Sequence, residues 1–366
     1  METTYINSSH LRVGKVIADD IFANTKYPIV YKNTKVTNEV LHVLKAFHIL
    51  KVPVLVEEEE KQTDQKDNMA DTAVIGMEVP KPFMTFEKIY LDAVEQFKKV
   101  FFGWESGSKI DITKVRGIIL PLIDRIQEER AILFKLNSLS NTKDYLFHHC
   151  IATGLISAII TQKLGYERGF VLQMAVAGML ADCGMAKVPN HIREKKGTLT
   201  EQEFLLIRQH PLFSFKMIES LPAIREEMKL AIYQHHERLD GSGYVEGLKI
   251  GKISTFSQII AVADTFHAMT SERVYRSMES PFKVIEMIKE SEFGKFDIKV
   301  VQALVDLVAS LPIGTTVELS NEDIGEIMFI NSFSPTRPLV KLANSGEIID
   351  LSKQRNLYIS QVITDK

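Results

Sequence analysis

Apolar and polar positions follow different periods in successive parts of the chain. Residues 10–56 carry short alternating runs, VGKVIADDIF, YPIVY and VPVLV, around one stretch, TNEVLHVLKAF, in which Val40, Leu41, Leu44 and Phe47 recur at helical spacing. This pattern predicts a small α/β module over residues 1–56. From Glu57 to Pro82 the run EEEEKQTDQKDNMAD offers nothing to bury, which predicts an acidic flexible linker over 57–82. Residues 84–103 and 111–138 read as two helices. In the second, Val115, Ile119, Leu122, Ile123, Ile126 and Leu133 make one broad stripe, with a kink expected at Pro121. This pair forms a connector over 83–140, read either as a helical hairpin leading into the next domain or as a homodimer contact.

From Lys143 to Leu311 helix follows helix. Gly165 and Gly184 sit where helices should stop, Thr200-x-x-Glu203 is a capping-box sequence, and Ser280-Pro281 is an N-cap followed by proline. The expectation is an all-α core over 141–312. After Pro312 the runs IGTTVELSNEDIGEIMFI, RPLVKLAN and GEIIDL alternate as short strands do, which predicts a small β-barrel-like module over 313–366. The fold class is therefore mainly α, a helical core flanked by a small N-terminal α/β module and a small C-terminal β-rich one.

Composition narrows the function classes. With 366 residues, 45% hydrophobic and 25% charged, the chain can bury a large core and reads as soluble and globular. A net charge of -3, with no basic stretch interleaved with aromatics, argues against nucleic acid as a partner. Cys150 and Cys183 are too few for a disulfide framework and fit a reducing compartment. The start, METTYINSSHLRVGKV, lacks the pattern of a secretory leader, and no apolar run approaches the roughly 20 residues of a membrane span. A cytoplasmic location is expected.

The chemistry lies in the histidines. Seven of ten fall between residues 148 and 267, in the helical core, accompanied by Asp182, Asp240 and Asp264. In QHHERLDGSGY, His235 and His236 are adjacent, and adjacent helical positions diverge by about 100°, so the two can address one ion only at a helix end. Gly241 and Gly243 supply such an end. Imidazole nitrogen and carboxylate oxygen suit iron, manganese or zinc, and a bridging carboxylate can hold two ions close enough to activate one shared water.

These residues resemble a known family. HHERLDGSGY is similar to the HHE-x-x-DG-x-GYP signature of HD-GYP proteins, cyclic di-GMP phosphodiesterases related to the wider HD phosphohydrolases. The resemblance runs from Tyr145 to Asp297 through YLFHHC, KKGTLTEQEF with QHP, HHERLDGSGY itself, IIAVADTFHAMTSERVYR and KFDIKVV, five blocks in order. It implies an HD-type helical bundle with one or two divalent ions, iron or manganese. One site is implied at His149, Asp182 and Asp264 and the other at Asp182, His210, His235 and His236, with Asp182 bridging and catalytic. Tyr145 stands where some members have a glutamate for a third ion, so two ions are the most expected.

The chain also departs from the pattern. LADCGMAKVP aligns with HD-x-GK-x-x-x-P, and Ala181 and Met185 occupy the histidine and lysine positions. Alanine has no lone pair to give a metal, and methionine has no charge to steady a phosphate. His267 replaces an aspartate three residues after Asp264. It shares a face with Asp264 and either lends the imidazole that Ala181 lacks or is a surface or packing histidine. Val245 replaces the proline after Tyr244. Arg273 and Arg276 match basic positions that contact phosphate in the family, unless they pair with Glu272 or Asp297, and Lys187 is a third candidate. The resemblance thus implies cyclic di-GMP as ligand, with hydrolysis weakened or lost and a sensor or scaffold role, or retained hydrolysis to linear dinucleotide or GMP. The loop of Asp240, Gly241, Gly243 and Tyr244 is also a candidate surface for a diguanylate cyclase domain.

Overall fold

The computed structural model describes residues 3–7, 11–22, 28, 30–37, 40–41, 44, 49, 51–55, 85–126, 132–272, 278–291 and 293–363. The chain divides into two compact units, Met1–Glu78 and Val79–Lys366. The linker read over 57–82 lies outside the described residues.

In the first unit, β1 (Thr3–Asn7) pairs antiparallel with β2 (Lys51–Leu55), Tyr5 opposite Pro53. Isolated bridges join Ile17 to Val54 and Ile21 to Val30. Val40, Leu41 and Leu44 are helical, and Phe47 lies outside the described residues. Leu11, Ile17, Ile21, Val30, Val36, Leu44, Val52 and Val54 make a small core of their own.

The second unit opens with α1 (Phe86–Glu105), whose N-cap Thr85 accepts a hydrogen bond from the Lys88 N–H. One face of α1 buries Tyr90, Val94, Phe97, Phe101 and Trp104 at three- and four-residue steps, each ring contributing roughly 1.5–3 kcal/mol by transfer from water. Then come α2 (Ile112–Arg125), capped by Asp111 and containing Pro121, and α3 (Ile132–Leu139). The single helix read over 111–138 is thus two described helices, with residues 127–131 outside the described set.

Two apolar helices follow at the centre, α4 (Tyr145–Lys163) and α5 (Arg168–Leu180), buried on nearly all sides. A short 3-10 helix (Cys183–Lys187) and α6 (Asn190–Arg193) lead to α7 (Glu201–Ile207), where the Thr200–Glu203 capping box is formed on both sides. The bundle continues with α8 (His210–Ile218), α9 (Glu226–Gln234), α10 (Thr255–Thr270), α11 (Pro281–Ser291) and α12 (Ile298–Val308). Gly165 ends α4 with φ +84°, whereas Gly184 lies inside the 3-10 helix rather than past a helix end. The segment Arg168–Lys187 has the length and apolarity of a membrane span. It is 67% buried in the bundle, and its helix breaks after Leu180, as a core helix can.

The C-terminal part is an antiparallel sheet of β3 (Thr316–Leu319), β4 (Ile324–Phe329), β5 (Leu339–Leu342), β6 (Ile348–Asp350) and β7 (Ile359–Val362). Its order is β6-β5-β4-β3-β7. The sheet is open and not barrel-like, because β6 and β7 lie at opposite edges and do not pair, and β7 falls outside the alternating runs of the sequence. Arg337 docks the sheet on α11, its guanidinium gripping both carboxylate oxygens of Glu286 at 2.6 Å.

Candidate metal centre

Asp182 sits at the break between α5 and the 3-10 helix, where the backbone leaves the α-helical path and projects its carboxylate from the end of the bundle's central helix. His210 begins α8, packed against that break. Gly184 lets the two backbones meet, because a Cβ there would collide with the His210 carbonyl and the Ser214 N–H. His235 and His236 follow directly on α9, so the tandem pair does occupy a helix end. His149 enters from α4 and Asp264 from α10.

Two sets of donor atoms result, each within 4.8 Å: Asp182, His210, His235 and His236, and His149, Asp182 and Asp264. His210 Nε2 lies 3.1 Å and His235 Nε2 3.4 Å from Asp182 Oδ1. Those two nitrogens are themselves 3.3 Å apart. On the other side, His149 Nε2 is 2.8 Å from Asp264 Oδ1 and 3.6 Å from Asp182 Oδ2. The Asp182 and Asp264 side chains keep 16% and 12% exposure, an opening through which solvent or a ligand reaches them.

The hydrogen bonds around the set decide what it can hold. His210 Nδ1 lies 2.8 Å from the Ile207 carbonyl and His235 Nδ1 2.7 Å from the Ile232 carbonyl. A carbonyl only accepts, so both Nδ1 atoms carry the proton and, in the neutral ring, both Nε2 atoms present lone pairs. Two lone pairs and a carboxylate oxygen therefore converge, and Asp182 Oδ1 is buried without a correctly directed hydrogen bond. Electron-rich atoms so placed repel one another unless a cation lies among them, and imidazoles anchored through Nδ1 to main-chain carbonyls are how metal-binding histidines are usually oriented. The residues fit a divalent ion.

The carboxylates and His236 agree with this, whereas His210 is drawn toward its protonated form by Asp182 and would give up that proton to an ion. Burial raises the Asp182 carboxyl, but the imidazoles of His210, His235 and His149 outweigh it and hold the group well below the usual carboxylate range. Asp264 is likewise buried, and its hydrogen bond to His149 with the nearby His236 brings it down. Burial lowers His210, yet the Asp182 carboxylate more than compensates and leaves it raised. His236 is held well down, by burial and then by His235 beside it, so it is a neutral donor over the physiological range.

The remaining sequence-predicted residues fall outside the two sets. His267 is fully buried on α10, and its Nδ1 meets His149 Nδ1 at 3.0 Å, with the Tyr145 hydroxyl 3.2 Å from the same nitrogen. That is the nitrogen turned away from the carboxylates, so this geometry gives His267 a place behind a donor and not the vacant imidazole position beside Ala181. Ala181 is buried, and its carbonyl accepts from Ser214 Oγ at 2.6 Å. Met185 packs against the core. Lys187 Nζ donates to the Trp104 carbonyl at 2.8 Å at the end of α1, which directs it away from a phosphate role. Arg273 and Arg276 lie outside the described residues.

The glycine loop is built around His236. Asp240 Oδ1 accepts from the N–H and hydroxyl of Ser242, Gly241 turns the chain at φ +85°, and Gly243 leaves no room for a Cβ against Glu237 and Arg238. Tyr244 stacks on His236 at 4.6 Å between ring centres, and Arg208 lies 4.5 Å from the Tyr244 ring. Tyr244 is therefore committed to the centre, which weakens the reading of the loop as an aromatic presented to a cyclase domain. Sequence reasoning missed Glu237 as a support: fully buried, its carboxylate accepts the Glu246 and Leu248 N–H groups at 2.7 and 2.8 Å and ties the loop down. Its place directly after the tandem histidines was the available signal. Arg208 carried none, since its stacking partner is remote in sequence.

Comparison with known proteins places this geometry. Residues 126–300 match the HD domain family. The chain is 29% identical over 226 residues to a cyclic di-GMP phosphodiesterase of Borreliella burgdorferi, covering 61% of this chain and 59% of that protein. It is 29% identical over 255 residues to one of Pseudomonas aeruginosa, covering 68% and 61%, and 36% over 183 residues to one of Thermotoga maritima, covering 48% of each. The chain thus spans about half to three-fifths of the length of these curated relatives. A solved HDG"Y"P protein from Bdellovibrio bacteriovorus shares the fold, with a TM-score of 0.51 over 84% of this chain and 99% of that one at 15% identity.

Proposed function

Because the chain carries an HD domain of the HD-GYP type, we propose that it binds cyclic di-GMP at the imidazole–carboxylate centre and hydrolyses it weakly or not at all. The observation that supports this reading is the inequality of the two donor sets. One has three imidazoles and a carboxylate, whereas the other has His149, Asp264 and the shared Asp182, with the methyl group of Ala181 where an imidazole is implied.

Divalent ions held there, iron or manganese by donor chemistry, would supply Lewis-acid polarisation of a phosphoryl oxygen and acidify a water. The side chains do the rest. Asp182 stays ionised and is shared by both sets, His210 and His235 keep their lone pairs directed at it, and Arg273 and Arg276 are proposed to hold phosphate. With Met185 in the core, the charge of the family's lysine is lost from this side. A chain that binds its nucleotide without rapid turnover acts as a sensor or scaffold, its C-terminal sheet coupled to α11 through Glu286 and Arg337. A second reading, retained hydrolysis to linear dinucleotide or GMP, is favoured by one fact: His149, Asp182 and Asp264 still converge within 4.8 Å.

The test is direct. Protein loaded with iron or manganese without oxygen is incubated with cyclic di-GMP, and binding and linear product are both measured. Saturable binding with slow product formation is expected, and Ala181→His with Met185→Lys should raise turnover by at least about tenfold. Rapid turnover by the unaltered chain would establish the second reading. A double variant that is folded and metal-loaded but no faster would refute the explanation from the missing groups.

A further inference from the structure

We propose that Arg208 is a substrate-binding residue, taking the phosphate of the cyclic dinucleotide that does not sit on the metal centre. The inference rests on the function proposed above and deepens it. Arg208 closes α7 two residues before His210, whose Nε2 faces Asp182. Its guanidinium lies 4.5 Å from the Tyr244 ring and 5.8 Å from the Phe204 ring. Tyr244 in turn stacks on His236 at 4.6 Å with the planes 23° apart. The guanidinium is thus held within two stacking distances of an imidazole of the centre.

Its donors are uncommitted. Arg208 is half-buried, and among the described residues it makes no side-chain hydrogen bond or ion pair. Two other stacked arginines differ: Arg193, over Phe101, pairs with Glu105 and donates to the Met185 carbonyl, and Arg238, over Phe296, donates to the His235 and Glu237 carbonyls. Arg225, over Phe170, is like Arg208 in making no such bond among the described residues, but it caps the start of α9, the end opposite His235. Two rings hold the guanidinium beside the centre, and its fork of N–H donors suits a planar or tetrahedral oxyanion. The need for such a group is local. A ligand with two phosphates can place one on the centre, with Arg273 and Arg276 proposed to hold it, and the second then needs a positive partner of its own; Met185 offers none and Lys187 Nζ is bonded to the Trp104 carbonyl. Arg208 is the described cation whose position and free donors meet that need.

The experiment uses the full-length metal-loaded chain, with dissociation constants for cyclic di-GMP and for GMP, which has a single phosphate. Arg208→Ala should weaken cyclic di-GMP binding by roughly 10- to 100-fold, the range for a hydrogen bond to a charged group, and leave GMP binding and metal content unchanged. Arg208→Lys should recover part of the loss, and the salt dependence of cyclic di-GMP binding should flatten in Arg208→Ala. Equal affinity of Arg208→Ala and the unaltered chain overturns the inference and leaves the proposed function standing. Equal weakening of both ligands, or loss of metal, also overturns it, since Arg208 would then be supporting His210. If the unaltered, metal-loaded chain does not bind cyclic di-GMP, the proposed function falls and this inference with it.

Discussion

The two halves of the centre differ in what holds their imidazoles. His210 and His235 are locked by carbonyls of their own preceding turns, Ile207 and Ile232, so the helix end that supplies each ring also sets its tautomer. His149 is backed by a second imidazole and a phenol, His267 and Tyr145, and either of these can donate or accept. The first half is local and self-supporting; the second depends on the packing of α4 against α10. The difference teaches that the position where the resemblance implies an imidazole and Ala181 stands belongs to the less constrained half, while Asp182 is shared by both.

The largest expected effect breaks both halves together. Asp182→Asn keeps the shape but removes the shared charge, and metal per chain, read by elemental analysis at fixed free manganese, should fall to nothing. That corresponds to a loss beyond the roughly 10- to 100-fold in affinity that outer supports of a metal site contribute. Asp264→Asn should lower only the second half, leaving the Asp182–His210–His235–His236 set loaded. Equal metal loss in the two variants would show that the halves are one site rather than two.

Much of this was legible because the signals were local. A tandem histidine before a glycine turn can converge only at a helix end, and the Thr200–Glu203 box and the Ser280 cap of α11 sit where side-chain chemistry dictates. What escaped depended on partners far along the chain. His267 meets His149, 118 residues away, and helical spacing could place it on the face of Asp264 without saying which nitrogen it would face. Arg208 has meaning only through Tyr244. The strand β7, four residues long, is defined by pairing with β3 across a register shift, and the sheet's failure to close follows from an order that leaves β6 and β7 at opposite edges.

A pH series sharpens the comparison with an intermediate effect. In the metal-free chain His210 is raised by Asp182, so its contribution to stability is complete below its ordinary range and fades as pH climbs through the folded-state value. Asp182, held low, contributes above its ordinary range and loses that contribution only in strong acid, as pH falls through its depressed value. The metal-loaded chain should behave differently near neutrality, because an ion needs unprotonated imidazoles and binds better as pH rises. Between about pH 6 and 8 the melting temperatures should diverge, the metal-free value staying nearly level because His236, held low, gains what His210 loses, and the loaded value rising. At an ion concentration about 100-fold above the dissociation constant the gap should reach roughly 5–10 °C. Parallel curves would mean that His210 is not a metal ligand.

The smallest effect concerns His267, and it separates support from ligation. If His267 only backs His149, then His267→Ala should leave the number of ions at saturation unchanged. It should weaken the second half by about tenfold, the low end for an outer-shell partner. His267→Asp should do the reverse, because a carboxylate is an obligate acceptor: it would fix the proton on His149 Nδ1 and make Nε2 the better donor toward Asp264 and Asp182. Titrating manganese into the two variants and the unaltered chain, with ion count and affinity read separately, distinguishes the cases. A saturating count lower by one whole ion in His267→Ala would restore His267 as the replacement for the missing imidazole. The ring would then have to leave its contact with His149 Nδ1 when the ion binds, and the second half of the centre would be assembled by the metal instead of waiting for it.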